Sequence, residues 1–128
     1  MQVILVMIGG FFGAIARFSV GEWFHSADVF PFATLFVNLV GCFLLGWFLT
    51  FMKQRKKIWP RLTLFIGTGF IGSFTTFSTF SVETIQLFEN DHVLLGAFYV
   101  IASIIFGLLL AFIGSKIAIP QKKEGDIV

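Results

Sequence analysis

Long uncharged apolar stretches alternate along this chain with short polar connections. Three of the stretches contain no charged residue: Val29 to Met52, Leu62 to Val82, and Val93 to Ser115. Each is long enough to cross a bilayer as a helix, which takes about 20 residues. The connections between them are short, so neighbouring helices are expected to run antiparallel. The pattern predicts an all-α membrane protein.

An earlier apolar stretch, Val3 to about Phe24, is interrupted only by Arg17 and Glu22. It is not preceded by the lysines or arginines of a secretory signal, so we expect this helix to remain in the protein. The chain then has four predicted spans in a single transmembrane domain that covers residues 1–128. The spans are expected at about residues 3–24, 29–52, 62–88 and 93–118.

The composition excludes a soluble domain, because 57% of the residues are hydrophobic, 12% are charged and the mean hydropathy is +0.94. The lone Cys42 can form neither a disulfide nor a cysteine metal cluster within one subunit, and packing is its expected role. His25 and His92 have no partner at catalytic or metal-ligand spacing and are interpreted as interfacial side chains. We therefore predict no enzyme activity. The formal net charge of +2 is too small to indicate a nucleic-acid partner.

The segment from Gly69 to Ser81 departs from the apolar pattern of its span. It carries six hydroxyl side chains and four phenylalanines. Hydroxyls near glycines compete for backbone hydrogen bonds and indicate an interrupted helix, and irregular backbone inside a membrane persists only where protein or water surrounds it. The sequence predicts that the third span is broken near the midplane and forms a permeation or ion site there.

Within this segment, Phe74, Phe77 and Phe80 recur every three residues. Ring edges carry partial positive charge and can face a dehydrated anion, although phenylalanines in a membrane core are also ordinary packing residues. Carbonyls freed at a break can coordinate a hard cation, while the N-terminus of the resumed helix favours an anion. The spacing alone leaves these alternatives open.

Polar groups also lie within the first two spans. Arg17 either extends to the interface or provides an electropositive vestibule or an interhelical anchor. Asn38, with Thr34 one turn earlier on the same face, either joins two helices by a hydrogen bond or lines a pore as a donor.

Small residues mark two helix faces. Gly9 and Gly13 form a GxxxG pattern, which predicts the close approach of another helix. Tyr99, Ser103 and Gly107 form a polar and small stripe down the fourth span, which is typical of either a packing seam or a pore wall.

Together these residues carry a resemblance to the Fluc (CrcB) family of fluoride channels. The resemblance covers nearly the whole chain, and its most specific part is the run from Thr75 to Ser81. The matching residues are Gly9-Gly10, Gly13-Ala14 and Arg17 in span one, Thr34 to Asn38 in span two, and Gly69 through Glu83 in span three.

The resemblance implies an antiparallel dimer with two narrow pores and a structural sodium ion, Na+, at its centre. Gly72 and Thr75 match the positions whose backbone oxygens hold that sodium, and Arg17 matches the family arginine, in a vestibule or a structural role. Ser73 and Gly107 depart from some relatives, which have a glycine and a pore-facing serine there. With the resemblance, the fluoride pathway is assigned to Asn38, Phe77, Phe80, Thr34, Tyr99, Ser103, Thr76 and Thr79.

The expected function is a fluoride-selective channel through which cytoplasmic fluoride leaves passively, since a membrane potential supplies about 2.3 kcal/mol per charge per 100 mV. Selectivity requires that donors and ring edges in a tight passage replace the hydration shell of a small anion. The alternative is a small four-helix multidrug or cation transporter, which needs a membrane-embedded carboxylate, whereas the later spans offer only Glu83 near an edge. A non-conducting scaffold would leave the hydroxyl-rich break unexplained.

Basic residues are distributed unevenly between the two sides of the membrane. If both termini face the cytoplasm of a plasma-membrane protein, that side receives eight of the nine basic residues. These eight are Lys53, Arg55, Lys56, Lys57, Arg61, Lys116, Lys122 and Lys123. Such a bias fixes one orientation under the positive-inside rule. We therefore expect the partner to be a related subunit inserted the opposite way, with an identical subunit as the alternative.

Overall fold

The structure is a computed structural model that describes residues 1–24, 29–55 and 59–120. All regular secondary structure within these ranges is helical, which confirms the predicted all-α class for them. In chain order the helices are α1 (Gln2–Trp23), α2 (Phe32–Lys53), α3 (Pro60–Leu62), a π-helix (Thr63–Ile71), α4 (Gly72–Phe74), α5 (Ser78–Glu89) and α6 (Val93–Ala118).

Three of the helices, α1, α2 and α6, are long and apolar enough to span a membrane. The third predicted span is divided instead between a helical piece over residues 60–74 and α5. The two pieces are separated by a break at residues 75–77, so the predicted interruption of this span is confirmed. That the two pieces together cross the bilayer as a fourth span stays a prediction.

The first piece of the divided span is wound mainly as a π-helix, which the sequence pattern did not predict. At its end, the N–H of Gly72 donates to the carbonyl of Gly67, five residues back. Such winding is rare and occurs mostly as single turns, often at functional sites. Here it continues over nine residues, Thr63–Ile71.

Close backbone packing of α1 against the π-helix explains the glycines of the first span. A Cβ at Gly9 would overlap the carbonyl oxygen of Phe65, and one at Gly13 would overlap that of Phe70. The hydroxyl of Ser73 adds a hydrogen bond of 2.6 Å to the carbonyl of Gly10. The close helix approach predicted from the GxxxG pattern is therefore confirmed, and the neighbour is the π-helix.

Contacts between α2 and α6 show that these two helices run parallel. A Cβ at Gly107 would lie 3.3 Å from the sulfur of Cys42, and one at Gly46 would overlap the backbone of Ala111. From the first contact to the second, the residue number rises by four in both helices. Gly107 therefore belongs to a packing seam, and Cys42 is half-buried in it.

The divided span runs antiparallel to α2. Gly41 lies against the side chain of Thr75, while Gly67, earlier in the third span, lies against Phe48, later in α2. Phe48 also belongs to a buried cluster with Met52 and Ile71. The apolar core therefore lies between α2 and the π-helix, and the break lies further along α2 toward its start.

A tight turn joins α5 to α6. Asp91 adopts φ of 60°, the left-handed conformation that aspartate tolerates better than most residues. The N–H of His92 donates to the carbonyl of Leu87 at 2.8 Å, and the His92 side chain is exposed. The turn folds α6 back along α5 and brings Glu83 close to Tyr99.

The helix directions bring basic residues at three helix ends to the same end of the bundle. Lys53 and Lys116 lie near the ends of the parallel helices α2 and α6, and Arg61 lies at the start of the antiparallel third span, in a hollow shared with Met1. Predictions that fall on His25, Asp28, Lys56, Lys57, Lys122 and Lys123 lie outside the described residues.

Candidate functional site at the helix break

The break begins where Thr75 takes an extended conformation, with φ of −79° and ψ of 157°. The helix resumes as α5 at Ser78, and the hydroxyl of Thr76 accepts a hydrogen bond of 3.2 Å from the N–H of Thr79. A side-chain oxygen thus satisfies one of the N–H groups that the start of a helix leaves without a partner. The hydroxyl-rich sequence therefore stabilises the new helix start.

Asn38 spans the break from α2 by two hydrogen bonds to one residue. Its amide nitrogen donates to the carbonyl of Thr76 at 2.9 Å, and its amide oxygen accepts from the N–H of Thr76 at 2.8 Å. Because an unpaired backbone group is costly inside a membrane, this pairing provides partners that the interrupted helix lacks. Of the two roles left open for Asn38, the interhelical hydrogen bond is present in the structure.

The hydrogen bonds of Thr76 with Asn38 and with Thr79 leave two backbone carbonyls without their helical donors. In an uninterrupted helix, the N–H of Thr76 would donate to Gly72 and that of Thr79 to Thr75. These N–H groups bind Asn38 and the Thr76 hydroxyl instead. The carbonyl of Gly72 receives only a long contact of 3.5 Å from the Thr75 hydroxyl. Carbonyl oxygens without helical donors are the ligand type that hard cations prefer.

A first cavity of about 380 Å³ lies on one side of the break. Its polar lining combines a guanidinium, two carboxylates and three threonine hydroxyls. The full lining consists of Arg17, Gly21, Glu22, Ala33, Thr34, Val37, Thr76, Thr79 and Glu83. Four residues predicted from the sequence, Arg17, Thr34, Thr76 and Thr79, therefore come together here.

Glu83 organises the wall of this cavity. Its Oε1 accepts a hydrogen bond of 2.8 Å from the hydroxyl of Thr34, and its Oε2 accepts one of 3.1 Å from the hydroxyl of Tyr99. Thr34 is buried, and Tyr99 is completely buried, at 0% exposure. Two predicted pathway residues from different helices thus meet on one carboxylate.

Glu83 was considered only as a carboxylate near an edge of the third span, and its hydrogen-bond partners were not predicted. The carboxylate is half-buried and hydrogen-bonded to two other helices. A signal was present in the chain, because Thr76, Thr79 and Glu83 follow the spacing i, i+3 and i+7 of one helix face. Thr34 on α2 could not be paired with Glu83 from spacing, since 49 residues separate them.

A second cavity of about 310 Å³ lies on another face of the break. It is more apolar than the first, and Phe77 contributes a ring that is 79% exposed. Its lining consists of Asn38, Gly41, Cys42, Leu45, Gly67, Ile71, Gly72, Thr75, Thr76 and Phe77. Thr76 lines both cavities, so both adjoin the break.

Aromatic rings connect the break to the Glu83 network, which is the hydrogen-bonded group of Glu83, Thr34 and Tyr99. The ring centroids of Phe77 and Phe80 are 5.9 Å apart, and those of Phe80 and Tyr99 are 4.9 Å apart. Ser103 donates to the carbonyl of Tyr99 in its own helix at 2.7 Å. The Ser103 hydroxyl therefore bonds within its own helix. Among the described hydrogen bonds, this one to Tyr99 is its only link to another predicted site residue. Phe74 is buried and stacks on Phe70.

The fold and the site define a small multi-pass helical membrane protein with two cavities at an interrupted helix. The family model described as "CrcB-like protein, Camphor Resistance (CrcB)" matches residues 4–115, and the chain belongs to this family.

Three relatives match most of the chain, two of them almost end to end. The chain is 49% identical over 126 residues to "Fluoride-specific ion channel FluC" of Oceanobacillus iheyensis, a match that covers 98% of each chain. It is 46% identical over 113 residues to "Fluoride-specific ion channel FluC 1" of Desulfitobacterium hafniense, covering 88% of this chain and 99% of the relative. A protein of Geobacillus kaustophilus, "Fluoride-specific ion channel FluC 2", is 44% identical over 128 residues, with 98% of each chain covered. These relatives are named as ion channels, so the prediction that the chain belongs to a class of channels and not of enzymes is confirmed.

Proposed function

We propose that this protein is a fluoride-selective channel that lets cytoplasmic fluoride leave the cell passively. The observation that carries the proposal is the position of Thr76, which lines both cavities where the third span is broken. An ion path through a bilayer needs polar groups at a depth where an unbroken helix has no free backbone group to offer. The family relatives, which are named fluoride-specific channels, supply the identity of the ion.

The first cavity provides the groups that an anion needs on entry. The half-buried Arg17 is a permanent cation in its wall, and the hydroxyls of Thr76 and Thr79 are potential donors. Glu83 lies in the same wall as a carboxylate that attracts these donors and would repel an anion. Its engagement by Thr34 and Tyr99 holds its charge in a defined place.

The second stage of the pathway uses aromatic edges. Phe77 and Phe80 lie next to one another at the N-terminal end of α5, where the helix dipole favours negative charge. Ring edges can replace water around a small anion while they offer nothing to a cation. The amide of Asn38 lies against the backbone between the two cavities and contributes support to the path.

A second subunit in the opposite orientation completes the site in this proposal. Phe77 is 79% exposed in the single chain, and Gly72, Ser78 and Thr79 are exposed beside it. A large aromatic ring among hydroxyls at a break is a poor surface to present to lipid, whereas a partner chain would cover it. The uneven basic charge favours a related subunit as the partner, with an identical subunit as the alternative.

The carbonyls of Gly72 and Thr75 fit the structural sodium that the family resemblance implies, because the break takes away their helical donors. Gly72 is also exposed, so its carbonyl is accessible to an ion shared with a partner. When bound, sodium would supply a positive charge that holds the two breaks together. Complete replacement of sodium by a large organic cation should then abolish fluoride flux, and unchanged flux would exclude a required ion.

A multidrug transporter is not supported by family membership, although Glu83 provides a half-buried carboxylate. Fluoride efflux from liposomes that contain the purified protein, with a partner subunit if one is required, tests the channel directly. Phe77→Ile and Phe80→Ile should reduce this efflux strongly, whereas Leu109→Ile, on the outer face of α6 with 48% exposure, should leave it unchanged. Wild-type efflux in both phenylalanine variants would refute the aromatic part of the pathway.

A further inference from the structure

Phe30 lies in the connection before α2 and is fixed there by its neighbours. Its carbonyl accepts a hydrogen bond of 2.9 Å from the N–H of Phe32. The following residue is Pro31, which restricts the backbone of the residue before it to extended conformations. The backbone that carries the ring is therefore held close to the start of α2.

The ring of Phe30 meets the buried Tyr99 edge-on. The two centroids are 5.6 Å apart and the planes are inclined at 81°, the T-shaped arrangement that aromatic pairs favour. Phe80 is the second aromatic neighbour of Tyr99, at 4.9 Å. Tyr99 is therefore positioned by one phenylalanine from the proposed pathway and by another from the α1–α2 connection.

The orientation of the Tyr99 ring decides where its hydroxyl points. That hydroxyl donates to Oε2 of Glu83, whose other oxygen is held by Thr34. If the ring could tilt, one oxygen of a carboxylate in the cavity wall would lose its fixed donor. The Glu83 charge in the cavity wall would then no longer have a single position.

We propose that Phe30 is a positioning residue for the pathway, because its ring holds the Tyr99 hydroxyl on Glu83. This inference rests on the proposed function for its effect on fluoride flux, while its effect on Tyr99 can be measured without fluoride. Phe30 lines neither cavity, and besides Tyr99 its ring pairs with Phe32 and Phe98, neither of which lines a cavity.

Tyr99 is the only tyrosine of the chain, so a ring-fluorinated tyrosine introduces one reporter. Fluorine NMR of the labelled protein in fluoride-free buffer should give a single narrow resonance. Phe30→Leu should shift and broaden this resonance and lower fluoride efflux by roughly three- to tenfold, as the loss of the aromatic pair with Tyr99 would allow. The aromatic replacement Phe30→Trp should restore both properties toward wild type.

The matched control is Phe36→Leu. Phe36 in α2 pairs at 5.1 Å with Phe24, which directly follows α1, and no ring pair joins it to Tyr99 among the described residues. It should leave both the resonance and the efflux unchanged. If Phe30→Leu does not give folded protein, Phe30→Met replaces it in the same comparison.

Either of two results overturns the inference. An unchanged resonance in Phe30→Leu would show that Phe30 does not position Tyr99, whatever happens to efflux. A changed resonance with wild-type efflux would show that the position of Tyr99 does not matter to the pathway. Absence of fluoride efflux from the unsubstituted protein would instead overturn the proposed function, and the role of Phe30 in it, even with a normal resonance.

Discussion

Asn38 and Thr76 are joined by a pair of hydrogen bonds in which the side chain of one matches the backbone of the other. The amide of Asn38 both donates to and accepts from Thr76, at 2.9 and 2.8 Å. Because the Thr76 N–H donates to Asn38, it does not donate to the carbonyl of Gly72. One interaction therefore satisfies the backbone of Thr76 and leaves the Gly72 carbonyl without its helical donor. Few side chains could do this, since the position requires a donor and an acceptor at the same reach.

Asn38→Asp should therefore impair the channel although the two side chains have the same shape. A carboxylate can accept from the Thr76 N–H but places an oxygen against the Thr76 carbonyl. The unsatisfied carbonyl costs about 1–3 kcal/mol, and we expect at least a tenfold loss of fluoride efflux. Ser115→Ala is the control, since that exposed hydroxyl bonds only within its own helix. Wild-type efflux of Asn38→Asp would contradict this account of the break.

Thr34→Val and Tyr99→Phe should each weaken the Glu83 network by removing one donor. Hydrogen bonds to a charged group contribute about 1.5–3 kcal/mol, and both variants should lower thermal stability and fluoride efflux. Because the two bonds share one carboxylate, the loss of stability in the double variant should differ from the sum of the two single losses. Additive losses, or a Tyr99→Phe effect that persists fully in a Glu83→Gln background, would show that the three residues do not act together.

Gly9→Ala and Gly10→Ala form a matched pair on neighbouring residues of α1. A Cβ at Gly9 would overlap the Phe65 carbonyl oxygen, whereas one at Gly10 would have only ordinary contacts of 3.9 and 4.0 Å. We expect Gly9→Ala to cost about 1–3 kcal/mol, as overpacking does. Gly10→Ala should be neutral or slightly stabilising, since alanine favours helices by up to about 1 kcal/mol. Equal unfolding temperatures of the two variants would refute close packing of α1 on the π-helix.

The local features of the fold were predictable from the sequence. The apolar lengths of α1, α2 and α6 follow from hydropathy, and the break follows from hydroxyls next to glycines, because both signals lie within a few residues of the structure that they specify. The GxxxG pattern correctly predicted a close neighbour for α1. The pattern did not predict that this neighbour is wound as a π-helix.

The candidate site shows the same division. Asn38 and Thr34 were recognised as polar groups in an apolar helix, and Thr76 as part of the break. That Asn38 pairs with Thr76 and Thr34 with Glu83 depends on how α2 and the third span are aligned, which spacing within one helix does not contain. Phe30 was missed because an aromatic residue in a connection carries no distinguishing signal until Tyr99 lies beside it.

The orientation of the chain is testable apart from its conductance. Lys53, Arg61 and Lys116 lie at the same end of the bundle as Met1, so their charges act together in the positive-inside rule. Reporter fusions at the C-terminus should be found on the cytoplasmic side alone, and expression of this chain without a related subunit should give little fluoride resistance. Reporters found on both sides in similar amounts, together with full resistance, would instead establish an identical partner.

The central claim is tested most directly by measuring fluoride and chloride efflux from the same liposomes. The protein is reconstituted with its partner subunit if one is required, and an electrode for each ion records release when the membrane potential is collapsed. The account predicts rapid fluoride release, with chloride release no faster than from protein-free liposomes. Equal release of the two anions, or a cation flux coupled to protons, would contradict it.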